Sequence, residues 1–176
     1  PELTTTEVLG REPVREGRVS RQWPWLRPFI FKALRHESPD VRNLFLLWMP
    51  NECPDAGMMA LPLTADPIPS VRATAYHMLP NLSGYGPGDL EKALMRGVGD
   101  RDPVPRSAAI LAAARLRAEA LLPTLVGILD DQTPVERTTY IECGIMWSKV
   151  PQLVTDPGGD FRPQVRELAA YTIQQI

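Results

Sequence analysis

The chain has 176 residues, of which 44% are apolar and 23% charged, a balance typical of folded globular proteins. A net charge of −2 excludes a strong overall attraction to nucleic acid or to anionic membranes, and two cysteines are too few for a disulfide framework. No apolar run approaches the length of a membrane span, so we expect a cytoplasmic protein. Because Pro1 stands where methionine would, we expect a processed chain or part of a longer one.

Helical patterns begin after an N-terminal segment, residues 1–20, that lacks a sustained apolar period. We interpret this segment as an arm or as the edge of a degenerate repeat. From Trp23 onward, apolar residues at helical spacing predict a first helix with Pro24 and Pro28 near its first turns. Further helices are predicted over residues 40–49, 54–63, 69–82, 90–98, 105–116, 119–129, 135–147 and 163–176. They form a single predicted domain over residues 21–176, with repeats at 21–50, 51–83, 84–117, 118–149 and 150–176.

A seven-residue frame marks the turn between the two helices of each predicted pair. It begins with an aspartate, continues through a proline-containing turn and ends with an arginine that opens the second helix. The frame occurs at residues 66–72, 100–106, 131–137 and 160–166, with a looser copy at 36–42. The five arginines are 30, 34, 31 and 29 residues apart, a period that indicates a solenoid of repeated helix pairs.

The frame has a structural interpretation. Its arginine lies in the first turn of a helix, where the helix dipole disfavours a cation. We therefore expect the planar guanidinium to pair with aspartates of its own and adjacent turns. This predicts a structural ladder along one edge of the stack, formed by Asp66, Arg72, Asp100, Arg106, Asp131, Arg137, Asp160 and Arg166.

The repeats resemble HEAT repeats, specifically their short bacterial form. The resemblance is carried by segments such as residues 119–137 (EALLPTLVGILDDQTPVER), with a proline in the first helix, an aspartate at the turn and a Val-Arg pair or its equivalent opening the second helix. Pro105 and Glu136 replace the valine in two repeats. Over residues 21–176, the resemblance implies an all-α fold, an α-solenoid in which about five antiparallel helix pairs form a right-handed superhelix. It also implies that the second helices line a concave surface.

Helical geometry then predicts which residues face that surface. In the second repeat, Val71, Ala75, Met78, Leu79 and Leu82 share one side of the helix and are expected to be buried. The opposite side is centred on Ala73, His77 and Pro80, which lie one, five and eight positions after the frame arginine. The same offsets in the other repeats give Asn43, Leu47, Pro50, Ser107, Leu111, Ala114, Thr138, Glu142, Ile145, Glu167, Tyr171 and Gln174.

None of these fifteen positions is lysine or arginine. Nucleic-acid affinity depends on cations that neutralise phosphates, so this surface favours a protein or peptide partner. The residues at the central offset are the predicted binding residues: Leu47, His77, Leu111, Glu142 and Tyr171. The sequence therefore predicts a non-catalytic interaction scaffold or regulatory adaptor.

Two alternatives remain open. Residues 11–42 contain eight basic and four acidic residues together with Trp23 and Trp25, which could support nucleic-acid binding. The HEAT-like alkylpurine DNA glycosylases combine a basic concave surface with a catalytic acid; here Glu142 and Glu167 are present but the cations are not. We expect the two tryptophans to have core or helix-capping roles. A chromophore lyase similar to the phycobilin lyases is the second alternative, although no residue pattern identifies a chromophore pocket.

Signatures of catalysis or metal binding are sparse. His36 and Glu37 are similar to one of the iron-binding His-Glu pairs of the HEAT-like deoxyhypusine hydroxylases. The second histidine, His77, is followed by methionine, so a di-iron site cannot be assembled from such pairs. Cys53 and Cys143 lack the spacing of a zinc site. We accordingly predict no catalytic residue, no metal and no cofactor.

Overall fold

The computed structural model describes residues 18–50, 53–86, 88–134 and 164–176. Its α-helices are α1 (Arg18–Ala33), α2 (Pro39–Leu47), α3 (Ala56–Ala60), α4 (Pro69–Met78), α5 (Asp89–Val98), α6 (Pro103–Leu116), α7 (Leu122–Val126) and α8 (Val165–Gln175). Short 3-10 helices follow α3 (Leu61–Ala65) and α4 (Leu79–Asn81) and precede α7 (Glu119–Leu121). The described residues contain no β-strand, only one isolated bridge between Pro134 and Gln164. None of the described helices is both long and apolar enough to cross a membrane.

Proline sets the start of the second helices. The first residue of α2, α4 and α6 is Pro39, Pro69 and Pro103, respectively. At this position a missing N–H costs no hydrogen bond, and the fixed backbone angle of proline is already helical. The residue before each proline has an extended backbone, which is the conformation that a following proline favours. The frame therefore stops one helix and begins the next at a defined residue.

Helix α1 differs from the prediction. It begins at Arg18, so Pro24 and Pro28 lie inside the helix and not in its first turns. Both prolines are solvent-exposed, where water can bond the backbone carbonyls that the proline rings leave without an N–H donor. The sequence prediction was wrong because it placed the helix start at the apolar period, whereas the helix continues upstream of it.

The core consists of two adjoining clusters. One joins α1 to α4 and includes Leu46, Met59 and Val71, and the other joins α4 to α8 around Tyr76. The five residues predicted to face inward from the second repeat are all buried, which confirms the helical phase assigned to α4: Val71, Ala75, Met78, Leu79 and Leu82. The Tyr76 hydroxyl donates to the backbone carbonyls of Thr64 and Ala93, so the largest fully buried side chain of the described residues has hydrogen-bond partners for its polar atom.

Helices α4, α5 and α6 approach one another closely at Gly97. A Cβ atom built on Gly97 would lie 2.5 Å from the Ala109 Cβ atom and 2.5 Å from the Tyr76 ring. No side chain larger than hydrogen fits this position without a shift of the helices. Ala109 of α6 lies in this interface, and its small side chain allows the two helices, α5 and α6, to approach.

The second helices form a row in which α2 packs against α4, α4 against α6, and α6 against α8. The last contact differs from the predicted five-pair stack, in which the second helix of repeat 118–149 would separate α6 from α8. Instead, the Thr172 hydroxyl of α8 lies 3.2 Å from the Ile110 carbonyl oxygen of α6, to which it donates. The start of α8 docks on the turn after α7, where the Arg166 N–H donates to the Asp131 carbonyl at 2.9 Å. Five consecutive pairs are thus not confirmed, and the predicted helix 135–147 lies outside the described residues.

Candidate functional site

The frame arginines and aspartates form ion pairs between successive turns. Arg72 donates from Nε and Nη2 to the two carboxylate oxygens of Asp100, at 2.7 and 2.8 Å. Arg42 makes the same fork to Asp66, at 2.8 and 2.9 Å. In each case the arginine pairs with the aspartate of the next turn, while its Nη1 group donates to a backbone carbonyl six residues before it in its own turn. The hydrogen bonds to Asp100 and the charge of its carboxylate raise the pKa of Arg72, and they outweigh partial burial, which acts to lower it.

The third ion pair, between Arg106 and Asp131, has a less favourable geometry than the other two. Arg106 contacts Asp131 through one nitrogen, Nη2, at 3.1 Å, and its buried Nε atom has no hydrogen-bond partner. Its Nη1 group still donates to the Asp100 carbonyl at 2.8 Å. Partial burial raises the pKa of Asp131, but hydrogen bonds from Thr133 and the charge of Arg106 outweigh it, so the pKa lies below its ordinary value. Arg137 and Asp160 lie outside the described residues.

Each frame aspartate also shapes its own turn. A carboxylate oxygen of Asp66, Asp100 and Asp131 accepts the backbone N–H two residues later, at 2.9, 3.0 and 2.9 Å. In the looser first frame, His36 takes this place, and its Nδ1 atom accepts the Ser38 N–H at 3.1 Å. Such local bonds hold a turn in place. The carboxylates of Asp66, Asp100 and Asp131 are therefore engaged both in their own turns and in ion pairs.

Four of the predicted binding residues lie on the row of second helices. Leu47, His77, Leu111 and Tyr171 each lie five positions after a frame arginine, on α2, α4, α6 and α8. Leu47 is 37% exposed, and the other three are half-buried. Glu142 lies outside the described residues. The fold thus distributes this predicted set over four neighbouring helices.

The predicted face is narrower than helical geometry alone suggests. Ala73 and Ser107, one position after their frame arginines, are fully buried, and Ala114 is 8% exposed. These corrections have one physical cause: side chains this small allow the neighbouring helices to approach and cover them. Glu167, at the same offset in α8, is half-buried, and its carboxylate accepts the Gln164 N–H at 3.0 Å. It caps its own helix, which does not favour the role of a free catalytic acid.

Three exposed residues on this face were missed. Leu44 on α2 and Trp48 at its C-cap are 50% and 78% exposed, and they lie near Leu47 at helical spacing. Arg115 on α6 is exposed, and its Nη2 group donates to the Asn81 side chain at 2.6 Å. The spacing of Leu44, Leu47 and Trp48 would have identified the first two, because it marks a second apolar stripe opposite the buried one. We define the second-helix surface as Leu44, Leu47, Trp48, His77, Leu111, Arg115 and Tyr171.

Charge on the second-helix surface is sparse but not absent. Burial lowers the pKa of His77, and the nearby charge of Arg115 lowers it further, so the imidazole favours its neutral form. Arg115 therefore adds one cation to the second-helix surface, whereas the fifteen positions predicted from the sequence contained none.

The basic N-terminal segment is partly neutralised. Arg27 pairs with Asp55 and Arg42 with Asp66, so two of its cations are already compensated. Trp23 is 6% exposed and its Nε1 atom donates to Asp55 at 2.6 Å, which confirms a core role for this residue. Trp25, in contrast, is 78% exposed, so the core or capping role expected for it was wrong. It follows Trp23 by two positions and therefore points away from the face that α1 buries.

The residues considered for metal binding have other roles where the structure describes them. His36 supports its turn as described above, and the Glu37 carbonyl accepts a hydrogen bond from Arg42 at 2.8 Å. Across residues 18–50, 53–86, 88–134 and 164–176, no group of three or more metal-ligating side chains converges. Cys53 is fully buried.

Comparison with protein-family models gives a match to HEAT repeats over residues 59–143. A search of curated proteins and a search of solved structures found no match. The matched region covers the last helices of the second repeat, the pair α5 and α6, and the turns that hold the ion pairs of Arg72 and Arg106. This match, together with helix pairs joined by recurring Asp–Arg turns, assigns residues 59–143 to the HEAT repeat family.

Proposed function

We propose that the chain is a non-catalytic scaffold or regulatory adaptor that binds a protein partner on its second-helix surface. HEAT repeats generally mediate protein–protein interaction, and the family match supports a protein partner in this general sense. The observation that carries the proposal is the exposed apolar group Leu44, Leu47 and Trp48 on α2. Exposed apolar patches of this kind mark interaction sites, and tryptophan is enriched among residues that dominate binding energy.

The row of second helices extends the surface beyond the apolar group at α2. Neighbouring helices are roughly 9 Å apart, so the face from α2 to α8 extends over about 27 Å. A partner segment of about eight extended residues, or a helix of about 18 residues, would cover it. Leu111 and Tyr171 offer further apolar contact area along that length, and His77 adds a polar group on α4, between α2 and α6. A peptide or helical segment with spaced apolar side chains fits this arrangement.

The charges favour protein over nucleic acid. Duplex binding draws its affinity from several lysine or arginine contacts with phosphates. On the second-helix surface as defined above, Arg115 is the single cation, and it is already bonded to Asn81. An apolar surface with one engaged cation suits the apolar centre of a protein interface better than a phosphate backbone.

Two tryptophans of equal exposure allow a matched test. Trp48 on α2 and Trp25 on α1 are both 78% exposed, so either can be replaced by alanine with little loss of packing. A tagged wild-type chain and the Trp48→Ala and Trp25→Ala variants would each be recovered from an extract of cells that express the chain naturally. Bound proteins would be quantified by mass spectrometry, and helical content by circular dichroism.

We expect Trp48→Ala to keep its helical content and lose at least one partner that Trp25→Ala retains. Loss of a central interface tryptophan costs about 2 kcal/mol or more, equivalent to a roughly 30-fold weaker complex. If Trp48→Ala and the double variant Leu47→Asp/Trp48→Asp keep every partner, the second-helix surface is not the binding site.

A further inference from the structure

A groove of about 450 Å³ lies between the first helices of the first two repeats, outside the second-helix surface. Its walls are formed by α1, α3 and the turn at residues 65–67. The side chains that matter for recognition are Phe31 on α1, Arg35 in the turn after α1, and Met58 on α3. None of these residues belongs to the ion-pair ladder or to the second-helix surface.

The walls of the groove are mainly apolar and accessible. Phe31 is 39% exposed and Met58 is 60% exposed, whereas Leu34, Met59 and Leu63 line the groove from buried positions. Methionine side chains are flexible and polarisable, and they adapt to apolar partners of different shape. The groove can therefore accept a bulky apolar side chain without a change in the core beneath it.

Among the described residues, Arg35 is the cation at the groove that has no carboxylate partner. Asp55 is satisfied by Arg27 and by the Trp23 indole, and Asp66 by the fork of Arg42. Arg35 stacks on the Phe31 ring, with its Cζ atom 3.7 Å from the ring centroid. Within the part of the chain that the structure describes, no carboxylate forms an ion pair with Arg35. The aromatic ring holds the guanidinium plane at the groove and leaves its N–H groups free to bond a carboxylate.

We propose that this groove binds a short segment of a partner protein in which an aspartate or glutamate lies close to a bulky apolar side chain. The carboxylate would pair with Arg35, and the apolar side chain would lie against Phe31 and Met58. Charge complementarity favours an acidic segment, because the acids that line the groove are already paired with other side chains and Arg35 therefore needs a carboxylate from the partner. The site lies on the first helices, so it would remain accessible when a partner occupies the second-helix surface, and it does not depend on that proposal.

A random peptide display library provides the probe. The library would first be depleted on the Met58→Asp variant, which blocks the apolar part of the groove, and then selected on the wild-type chain. Selected peptides would be synthesised with a fluorescent label, each with a twin in which its acidic residues are replaced by the corresponding amides. Binding would be measured by fluorescence anisotropy. Circular dichroism would establish that every variant keeps its helical content.

Matched substitutions exist for both features of the groove. Lys32 is an exposed cation in the last turn of α1, three residues before Arg35, and it does not line the groove, so Lys32→Gln controls for Arg35→Gln. Met95 is 43% exposed on α5, so Met95→Asp controls for Met58→Asp. Trp48→Ala separates this site from the second-helix surface, and peptides that bind the groove should bind this variant as they bind the wild type.

We expect the selected peptides to combine acidic with large apolar residues. Arg35→Gln should weaken them roughly tenfold, as should the amide twin, and the two changes together should cost little more than either alone, because both remove one charge-assisted contact. The proposal is overturned if no peptide is enriched over the depleted pool. It is equally overturned if the enriched peptides lack acidic residues, or if Arg35→Gln has no larger effect than Lys32→Gln.

Discussion

Replacing Asp100 with alanine removes the acceptor that holds Arg72 across two successive turns. Asp100 accepts two hydrogen bonds from Arg72 and one from the Asp102 N–H. The Arg72 and Asp100 side chains are only 15% and 11% exposed, so water cannot readily replace the lost partner. The variant leaves a mostly buried guanidinium with carbonyl oxygens of its own turn as its remaining acceptors.

Removing one partner of a buried ion pair costs about 3–5 kcal/mol. Because Arg72 keeps its bonds to the Asp66 and Pro67 carbonyls, we expect the lower end, a loss of about 3 kcal/mol for Asp100→Ala. Asp131→Ala removes the 3.1 Å contact with Arg106 and the hydrogen bond from the Thr133 N–H, and it should cost about 2 kcal/mol. Asp130 is exposed at a neighbouring position, and Asp130→Ala should change stability by less than about 0.5 kcal/mol.

Urea unfolding monitored by far-ultraviolet circular dichroism would test this order. The free energy of unfolding should fall most for Asp100→Ala, less for Asp131→Ala and hardly at all for Asp130→Ala. A double-mutant cycle with Arg72→Met should give a coupling energy above about 1 kcal/mol, since the two side chains share both hydrogen bonds. Equal effects of Asp100→Ala and Asp130→Ala, or additive effects in the cycle, would refute the reasoning that this pair links the repeats.

Three further substitutions test other parts of the fold. Gly97→Ala should destabilise the chain by about 1–3 kcal/mol, because its Cβ atom meets Tyr76 and Ala109, whereas Gly99→Ala has only distant neighbours and should be nearly neutral in the same unfolding experiment. Asp55→Asn should lose less stability than the wild type as the pH falls from about 5 to about 3. Partial burial raises the pKa of Asp55, but hydrogen bonds from Arg27 and Trp23 outweigh it and lower the pKa. The folded state therefore favours the carboxylate, and the wild type loses this stabilisation when the carboxylate is protonated. Equal slopes of unfolding free energy against pH for the wild type and Asp55→Asn would contradict this. His77→Gln should flatten the stability profile below about pH 6.5, because burial and Arg115 lower the folded pKa and protons then favour the unfolded chain; an unchanged melting-temperature profile would contradict it.

The repetitive part of the structure follows from the sequence because each frame specifies the same local chemistry. The turn is fixed by two local features: an aspartate that accepts the backbone N–H two residues later, and a proline at the start of the following helix. Neither feature depends on distant residues. The inward face of α4 follows from the helical period alone. The sequence predicts that each frame arginine pairs with a frame aspartate. It does not show that the aspartate belongs to the next turn, because that depends on the distance between the helices.

The parts that could not be predicted depend on packing between elements. Ala73 and Ser107 lie on the outer side of their helices, yet neighbouring helices cover them because their side chains are small. The contact of α8 with α6 places residues 110 and 172 together, and the frame period gives no sign of it, since every copy of the frame predicts the same neighbour relation. Trp48 was missed because it caps α2 and falls between the offsets that the α4 pattern supplied.

The ion pairs and the proposed binding residues lie at different positions along the same helices, and this allows their effects to be separated. The ion pairs lie in the turns at the start of the second helices, whereas Leu47, His77 and Leu111 lie five positions further along. A weakened ion pair changes the relation between two helices, so it should lower both stability and affinity for a partner that spans them. A change at exposed Trp48 should lower affinity alone. A variant that loses binding at full stability therefore identifies a contact with the partner, and a variant that loses both identifies the framework that aligns such contacts.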